Sequence, residues 1–252
     1  MRASIDTIGH GPIVELRLAR PPVNALDPAL CEGITMALQR AVEAGAQGIV
    51  LSGGDTVFSA GLDVPHLMGL GSRDAVGAAW TGFLDAARAI AASPVPVVAA
   101  ITGHSPAGGC VLALCCDYRV MAEGPFRIGL NETRVGLVAP DGIQHLMRRA
   151  VGAHRAELLL VTGELVDSAR ALDIGLVDEL AAPAGVVARA VAWLEALLAL
   201  PRQPVLRTRA IARADLLAAL APENIDIETF VDAWNDPDTQ AGLRALVARL
   251  GK

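Results

Sequence analysis

Val97-Val98-Ala99-Ala100-Ile101-Thr102-Gly103-His104-Ser105-Pro106-Ala107-Gly108-Gly109-Cys110 decides the fold class. Val97 to Ile101 reads as a short buried strand that runs into Gly103, and the two glycines at 108 and 109 lead into an apolar helix, Cys110 to Cys116. Upstream, Gly48 to Ser52 is a second short apolar strand, and Arg73 to Ala92 between the two reads as a long helix stopped before Pro94. Short apolar strands alternating with helices predict an α/β fold with parallel pairing, because crossover helices bury such strands on both faces.

Working outward, Ser4 to Ile8 and Ile13 to Leu18 alternate in polarity around Gly9-His10-Gly11-Pro12, which predicts an opening hairpin. Asp27 is the expected N-cap of a helix with Pro28 at its first position, and Leu30, Ile34, Leu38 and Ala41 recur at helical spacing until Gly45. Beyond the central stretch, strands are expected near Tyr118 to Met121, Phe126 to Ile128 and Leu176 to Leu180. Only helices are expected afterwards: Gly185 to Leu200, Val205 to Leu220, Ile227 to Trp234 and Thr239 to Leu250. The change near residue 183 divides the chain into an α/β core, 1–183, and a helical region for packing and oligomerisation, 184–252, and strand-strand-helix units recur loosely through the first part.

The 252 residues are 53% apolar and 19% charged, with a formal net charge of −6 and a single lysine, Lys252. No basic stripe is present to gather the protein on nucleic acid or on an anionic membrane. Mean hydropathy is high, +0.44, yet no run approaches the roughly 20 apolar residues that a membrane-spanning helix needs. The excess apolarity is expected between layers or between subunits. The opening residues show neither a secretory nor a transit pattern, so the expected location is cytoplasmic. Cys31, Cys110, Cys115 and Cys116 form no C-x-x-C, and Asp63 with His66 is at most two ligands on one helix face, so no metal site is expected.

Three segments carry possible chemistry. Phe58-Ser59-Ala60-Gly61-Leu62-Asp63 is a small-residue loop that follows a strand and enters a short helix, Val64 to Met68. Small side chains let a ligand approach the backbone, and the N–H groups at a helix start lack partners, although an ordinary turn reads the same way. Thr102 to Gly109 is a second such turn. Two of them could aim two backbone donors at one point and form an oxyanion hole, or could cradle phosphate, although neither common phosphate-loop pattern occurs. The third segment, Ile128-Gly129-Leu130-Asn131-Glu132-Thr133-Arg134-Val135-Gly136-Leu137-Val138-Ala139-Pro140, holds one acid, Glu132, in apolar surroundings. Buried, it would have a raised pKa and suit a general base; at a surface turn it would pair with Arg127 or Arg134.

Taken together, FSAGLD (Phe58 to Asp63), PAGGC (Pro106 to Cys110), RPPVNAL (Arg20 to Leu26) and IGLNETRVGLVAP (Ile128 to Pro140) resemble the crotonase, or enoyl-CoA hydratase/isomerase, superfamily. Within it RPPVNAL, PAGGCVLALCCDYRV (Pro106 to Val120) and IGLNETRVGLVAP are most similar to the Δ3,Δ2-enoyl-CoA isomerases of the mitochondrial type. The resemblance implies a spiral of repeated ββα units with a C-terminal helical region, an acyl-CoA substrate, no cofactor, and a homotrimer or dimer of trimers. It makes Glu132 the catalytic base and the N–H groups of Leu62 and Gly108 the donors to the thioester oxygen. It also places Ala60, Gly61, Leu62, Asp63 and Val64, with Val23 and Ala25, along the CoA groove. Hydratases of this superfamily carry a second glutamate at the position of Val111, and one acid without that partner implies double-bond migration in preference to hydration. Enoyl-CoA hydration and a non-catalytic acyl-CoA- or RNA-binding role are the alternatives; for RNA, Arg207, Arg209 and Arg213 are the candidate phosphate contacts, with a solvated helix face as the competing reading.

Overall fold

A computed structural model describes residues 5–250. Strand β1 (Ile5–His10) pairs antiparallel with β2 (Ile13–Leu18) through a turn at Gly11-Pro12; Ser4, assigned to this strand from sequence, lies outside the described residues. Helix α1 (Pro28–Glu43) starts as expected, with Asp27 accepting from Leu30 N–H and proline in the first turn. Then follow β3 (Gly48–Ser52), α2 (Val64–Met68), α3 (Arg73–Ala91), β4 (Val97–Ile101), a two-residue β5 (Ser105–Pro106), α4 (Gly108–Leu114), β6 (Tyr118–Ala122) and β7 (Arg127–Gly129). A 3-10 turn at Glu132–Val135 leads to α5 (Asp141–Val151), α6 (Ala153–Thr162), β8 (Val166–Asp167), α7 (Ser168–Asp173) and β9 (Glu179–Ala181). Apart from short 3-10 turns, the remainder is helical: α8 (Val186–Leu198), α9 (Arg202–Ala212), α10 (Ala214–Ala219), α11 (Ile227–Trp234) and α12 (Pro237–Leu250).

The main sheet has the order β1-β2-β3-β4-β6-β9, and every pair after the first hairpin is parallel. Both of its faces are covered, and alternate residues of one strand serve different cores. Ile49, Leu51, Val97, Ala99 and Ile101 face the cluster built with α1, α3 and α4. Val50, Val98 and Ala100 face the opposite way, onto Val186, Ala190 and Leu194 of α8. Completely buried Val, Leu and Ile side chains contribute roughly 1.5–3 kcal/mol each, which is where the high hydropathy goes. The strand-to-helix units repeat as expected of the spiral, and a small second sheet, β5-β7-β8, sits beyond the ends of the main strands.

Several expected boundaries move. The helix read from Cys110 begins at Gly108, so the glycine pair is its first turn and not its lead-in. Of the strand read from Leu176 to Leu180 only Glu179 and Leu180 pair, within β9; Leu176 and Val177 are buried in a turn where both N–H groups donate to Ala171 O. The single helix read from Val205 to Leu220 is two, meeting at Arg213. That arginine turns inward and donates to Ala91 O, Cys115 O and Cys116 O. Arg209 grips Asp117 with two nitrogens at 2.7 and 2.9 Å. Neither arginine forms part of a solvated face or is free for phosphate; of the three, only Arg207 is exposed. Among the described residues no single helix is long and apolar enough to cross a membrane.

Candidate active site

β3 and β4 are parallel neighbours, so the segments leaving their C-terminal ends start side by side, where ligands of parallel sheets characteristically bind. Backbone bonds then lace the segments together. Phe58 N–H donates to His104 O and His104 N–H to Thr56 O, both at 2.9 Å. Ser105 and Pro106 pair with Ile128 and Gly129 of β7, and Ala107 N–H donates to Gly129 O at 2.8 Å. All three segments singled out in the sequence therefore converge, and β7 delivers Asn131 and Glu132 to the meeting point.

The first two segments touch backbone to backbone. Gly61 has φ +82°, and a Cβ there would lie 3.0 Å from Gly108 N and 3.0 Å from Ala107 Cβ, so only glycine fits. Ala107 carries a left-handed φ of 48° without being glycine; such strain is of order 1–3 kcal/mol and clusters at functional sites. Leu26 N–H donates to Gly61 O at 2.8 Å, and Asp63 N–H donates to Leu26 O at 3.0 Å. In this extended stretch successive groups alternate in direction, so the intervening Leu62 N–H points away from Leu26. Gly108 N–H, at the first position of α4, has no intrahelical acceptor. Among the described residues neither amide has a hydrogen-bond partner.

Both amides belong to residues lining a cavity of about 670 Å³, which Glu132 also lines. Of the expected groove positions, Val23, Ala25, Ala60, Leu62, Asp63, Val64 and Gly108 line it as well; Gly61 does not, and acts from behind by letting the two turns meet. Val111, at the hydratase acid position, is 1% exposed and forms part of the wall. The far end is aromatic. Trp80 of α3 packs edge-on against Phe83 of the same helix and meets Phe230 of α11 with ring centroids 3.9 Å apart, and all three line the cavity.

Glu132 has none of the partners that a surface turn would give it. Arg127 donates to Leu165 O and Arg134 to Thr162 O, so both arginines are engaged elsewhere. Glu132 Oε2 is sealed from solvent without a hydrogen-bond partner, as is Oδ1 of neighbouring Asn131. Burial pushes the carboxyl up to about 7, opposed only by its own backbone N–H. A carboxylate poised there, sharing an apolar cavity with unpaired donors, suits proton abstraction next to a carbonyl.

Two polar residues of this site were not assigned a role from sequence, although both lie inside the quoted motifs. One is Asn131; the other is Arg20, at the cavity mouth, which bonds to Ala25 O, Asp27 and Asp63. Asp63 and His66 do not pair through their side chains: Asp63 Oδ1 accepts from His66 N–H as the cap of α2. No group of three His, Cys, Asp or Glu suited to a metal ion occurs among the described residues. The four cysteines are free buried thiols, with burial pushing each of them up.

Known proteins share this architecture. The structure of human mitochondrial delta3-delta2-enoyl-CoA isomerase superposes with a TM-score of 0.93 at 29% identity, covering 98% of both chains. Mouse mitochondrial enoyl-CoA delta isomerase 1 is 32% identical over 99% of this chain and 87% of its own length. A probable enoyl-CoA hydratase of Mycobacterium avium is 36% identical over 81% of this chain and 82% of its own. The cytoplasmic location read from the opening residues is thereby corrected, since the mouse and human relatives just described, which match nearly the whole chain, are mitochondrial enzymes. Residues 5–10 form a paired strand, so their composition answers to the sheet and is no guide to location. The profile of the enoyl-CoA hydratase/isomerase family matches residues 9–250, and with that the chain belongs to the crotonase superfamily as an enzyme acting on acyl-CoA.

Proposed function

We propose that this enzyme moves a double bond from the 3 to the 2 position of an enoyl-CoA thioester. The reading rests on one observation: a buried, unpaired carboxyl pushed up to about 7 shares a cavity with two backbone N–H groups that have no acceptor. The thioester oxygen accepts from Leu62 N–H and Gly108 N–H. Glu132 removes a proton from C2, and the electron pair spreads over C1 to C4 as a dienolate whose charge rests mainly on that oxygen. The protonated Glu132 then returns the proton at C4, leaving the double bond between C2 and C3. One donor of this kind contributes roughly 2.7–4 kcal/mol to transition-state stabilisation. No cofactor takes part beyond the CoA already esterified to the substrate.

Hydration of a 2-enoyl-CoA is the second reading, favoured by the identity to the mycobacterial protein named as a probable hydratase. Val111 in the wall argues against it, because activating a water and managing protons at two carbons is work that two carboxylates share. The non-catalytic RNA-binding alternative loses its support with Arg209 and Arg213 committed inside the protein. Assembly into a homotrimer or a pair of trimers through the region 184–252 accompanies the isomerase proposal. Ile211 on α9, 76% exposed, supports further burial between subunits, and a solution mass measurement tests it.

The deciding experiment is Glu132→Gln assayed with 3-enoyl-CoA and 2-enoyl-CoA. Isomerisation should fall by at least about 10³-fold while acyl-CoA affinity stays within a few-fold. Near-normal turnover in the variant would refute the assignment of the base, and a wild-type hydration rate above the isomerisation rate would select the second reading.

A further inference from the structure

We propose that Arg20 is a positioning residue, whose guanidinium holds the loop carrying Leu62 so that its N–H points at the substrate carbonyl. The inference rests on the reading of Leu62 N–H as a thioester donor and adds to it the group that fixes the donor's direction.

Arg20 joins the two loops with three different nitrogens. Nη1 donates to Ala25 O at 3.0 Å, Nε lies 3.0 Å from Asp27 Oδ2, and Nη2 donates to Asp63 Oδ2 at 2.6 Å. The other oxygen of each carboxylate caps a helix, since Asp27 Oδ1 accepts from Leu30 N–H at the start of α1 and Asp63 Oδ1 accepts from His66 N–H at the start of α2. One cation thus ties two helix caps together. Ala25 and Asp27 flank Leu26, the residue whose N–H and C=O grip the peptides on either side of Leu62. The ion pairs therefore brace the short bridge between Leu26 and Leu62.

These partners distinguish positioning from a direct contact with a CoA phosphate. The Arg20 side chain is 31% exposed, whereas its partners Asp27 and Asp63 are 18% and 13% exposed, so its bonds run into the protein and are less screened than those of a surface pair. Without the cation, two carboxylates would face each other across the seam. Their helix caps would survive, but repulsion would loosen the spacing of residues 26 and 62, and small misplacements of a catalytic donor are felt strongly in rate.

The test compares Arg20→Gln, Asp63→Asn and Arg20→Lys with wild type. Asparagine at 63 can still cap α2 but removes the charge. The readouts are kcat and KM on 3-enoyl-CoA, thermal stability, and the red shift of a bound 2,4-dienoyl-CoA chromophore, which reports polarisation of its carbonyl. Arg20→Gln and Asp63→Asn should lower kcat about 10- to 100-fold, leave the dissociation constant within about threefold, and lose most of the red shift. Arg20→Lys should recover part of both kcat and the shift. The inference is overturned if Arg20→Gln raises the dissociation constant about tenfold or more with kcat and red shift intact, which would make Arg20 a ligand contact. It is equally overturned if the shift is unchanged and the loss of kcat simply follows the loss of stability. A wild-type enzyme that gives no red shift would instead remove the donor reading itself, and this inference with it.

Discussion

Glu132→Gln should change the pH dependence of stability as well as abolish turnover. Burial lifts the carboxyl from its ordinary 4.5 to about 7, so between these values the folded protein binds a proton that the unfolded chain has released. Stability contributed at this position is therefore complete below about pH 4.5, falls as pH rises through the interval, and levels off above about 7, where the penalty for an ionised, buried Glu132 amounts to about 3 kcal/mol. Glutamine has no such dependence. Its own burial adds a constant, so the quantity to follow is the change in the stability difference with pH. From pH 5 to pH 8.5 the variant should gain about 2–3 kcal/mol on wild type, equivalent to roughly 4–12 °C in Tm for a chain of this size. Urea titrations of both proteins at several pH values read this directly. Parallel curves across the interval would show that Glu132 ionises in the folded protein as it does in the unfolded chain, and the physical basis for its role as a base near neutrality would be lost.

Further expectations follow from the same geometry. The kcat/KM of the wild-type isomerase reaction should rise with pH along a limb with an apparent pKa of about 7, since the free enzyme must hold Glu132 ionised; a flat profile between pH 5 and 8 contradicts this. Gly61→Ala, which places a Cβ 3.0 Å from Gly108 N at φ +82°, should lower kcat by about 10²-fold together with some loss of Tm. Arg209→Ala leaves Asp117 without its two-nitrogen partner and should destabilise the protein by about 2–4 kcal/mol in denaturant titration, with kcat of the remaining folded enzyme near normal. Val111→Glu restores a second acid to the cavity wall, and hydration of 2-enoyl-CoA should become measurable above the wild-type level.

Much of the fold was legible because its signals are local. Asp27-Pro28 starts α1, and Gly48–Ser52 and Val97–Ile101 announce strands buried on both faces. Boundaries moved where distant contacts outweigh local preference. Glycines disfavour helix interiors, yet Gly108 and Gly109 open α4, packed against the loop of residues 58–63; a Cβ on Gly109 would meet Ser59 O at 2.5 Å. Nothing near Arg213 in sequence breaks a helix. The break comes from carbonyls about 100 residues away that draw its side chain inward. The candidate site was visible as three motifs, and their convergence follows from β3 and β4 being adjacent. Which acid lacks a cation was not visible, since the choice between a buried Glu132 and one paired to Arg127 or Arg134 depends on carbonyls on the far side of a turn. Arg20 escaped notice for the same reason, its partner Asp63 lying 43 positions away.

One carboxyl is expected to carry a proton between two carbons inside an apolar cavity, and isotope transfer follows that proton itself. With a 3-enoyl-CoA deuterated at C2, turned over in ordinary water, the 2-enoyl product should carry deuterium at C4 in a substantial fraction of molecules, because the Glu132 oxygen that lacks a partner is closed to solvent. A product with only solvent hydrogen at C4, formed at an undiminished rate by Glu132→Gln, would contradict it.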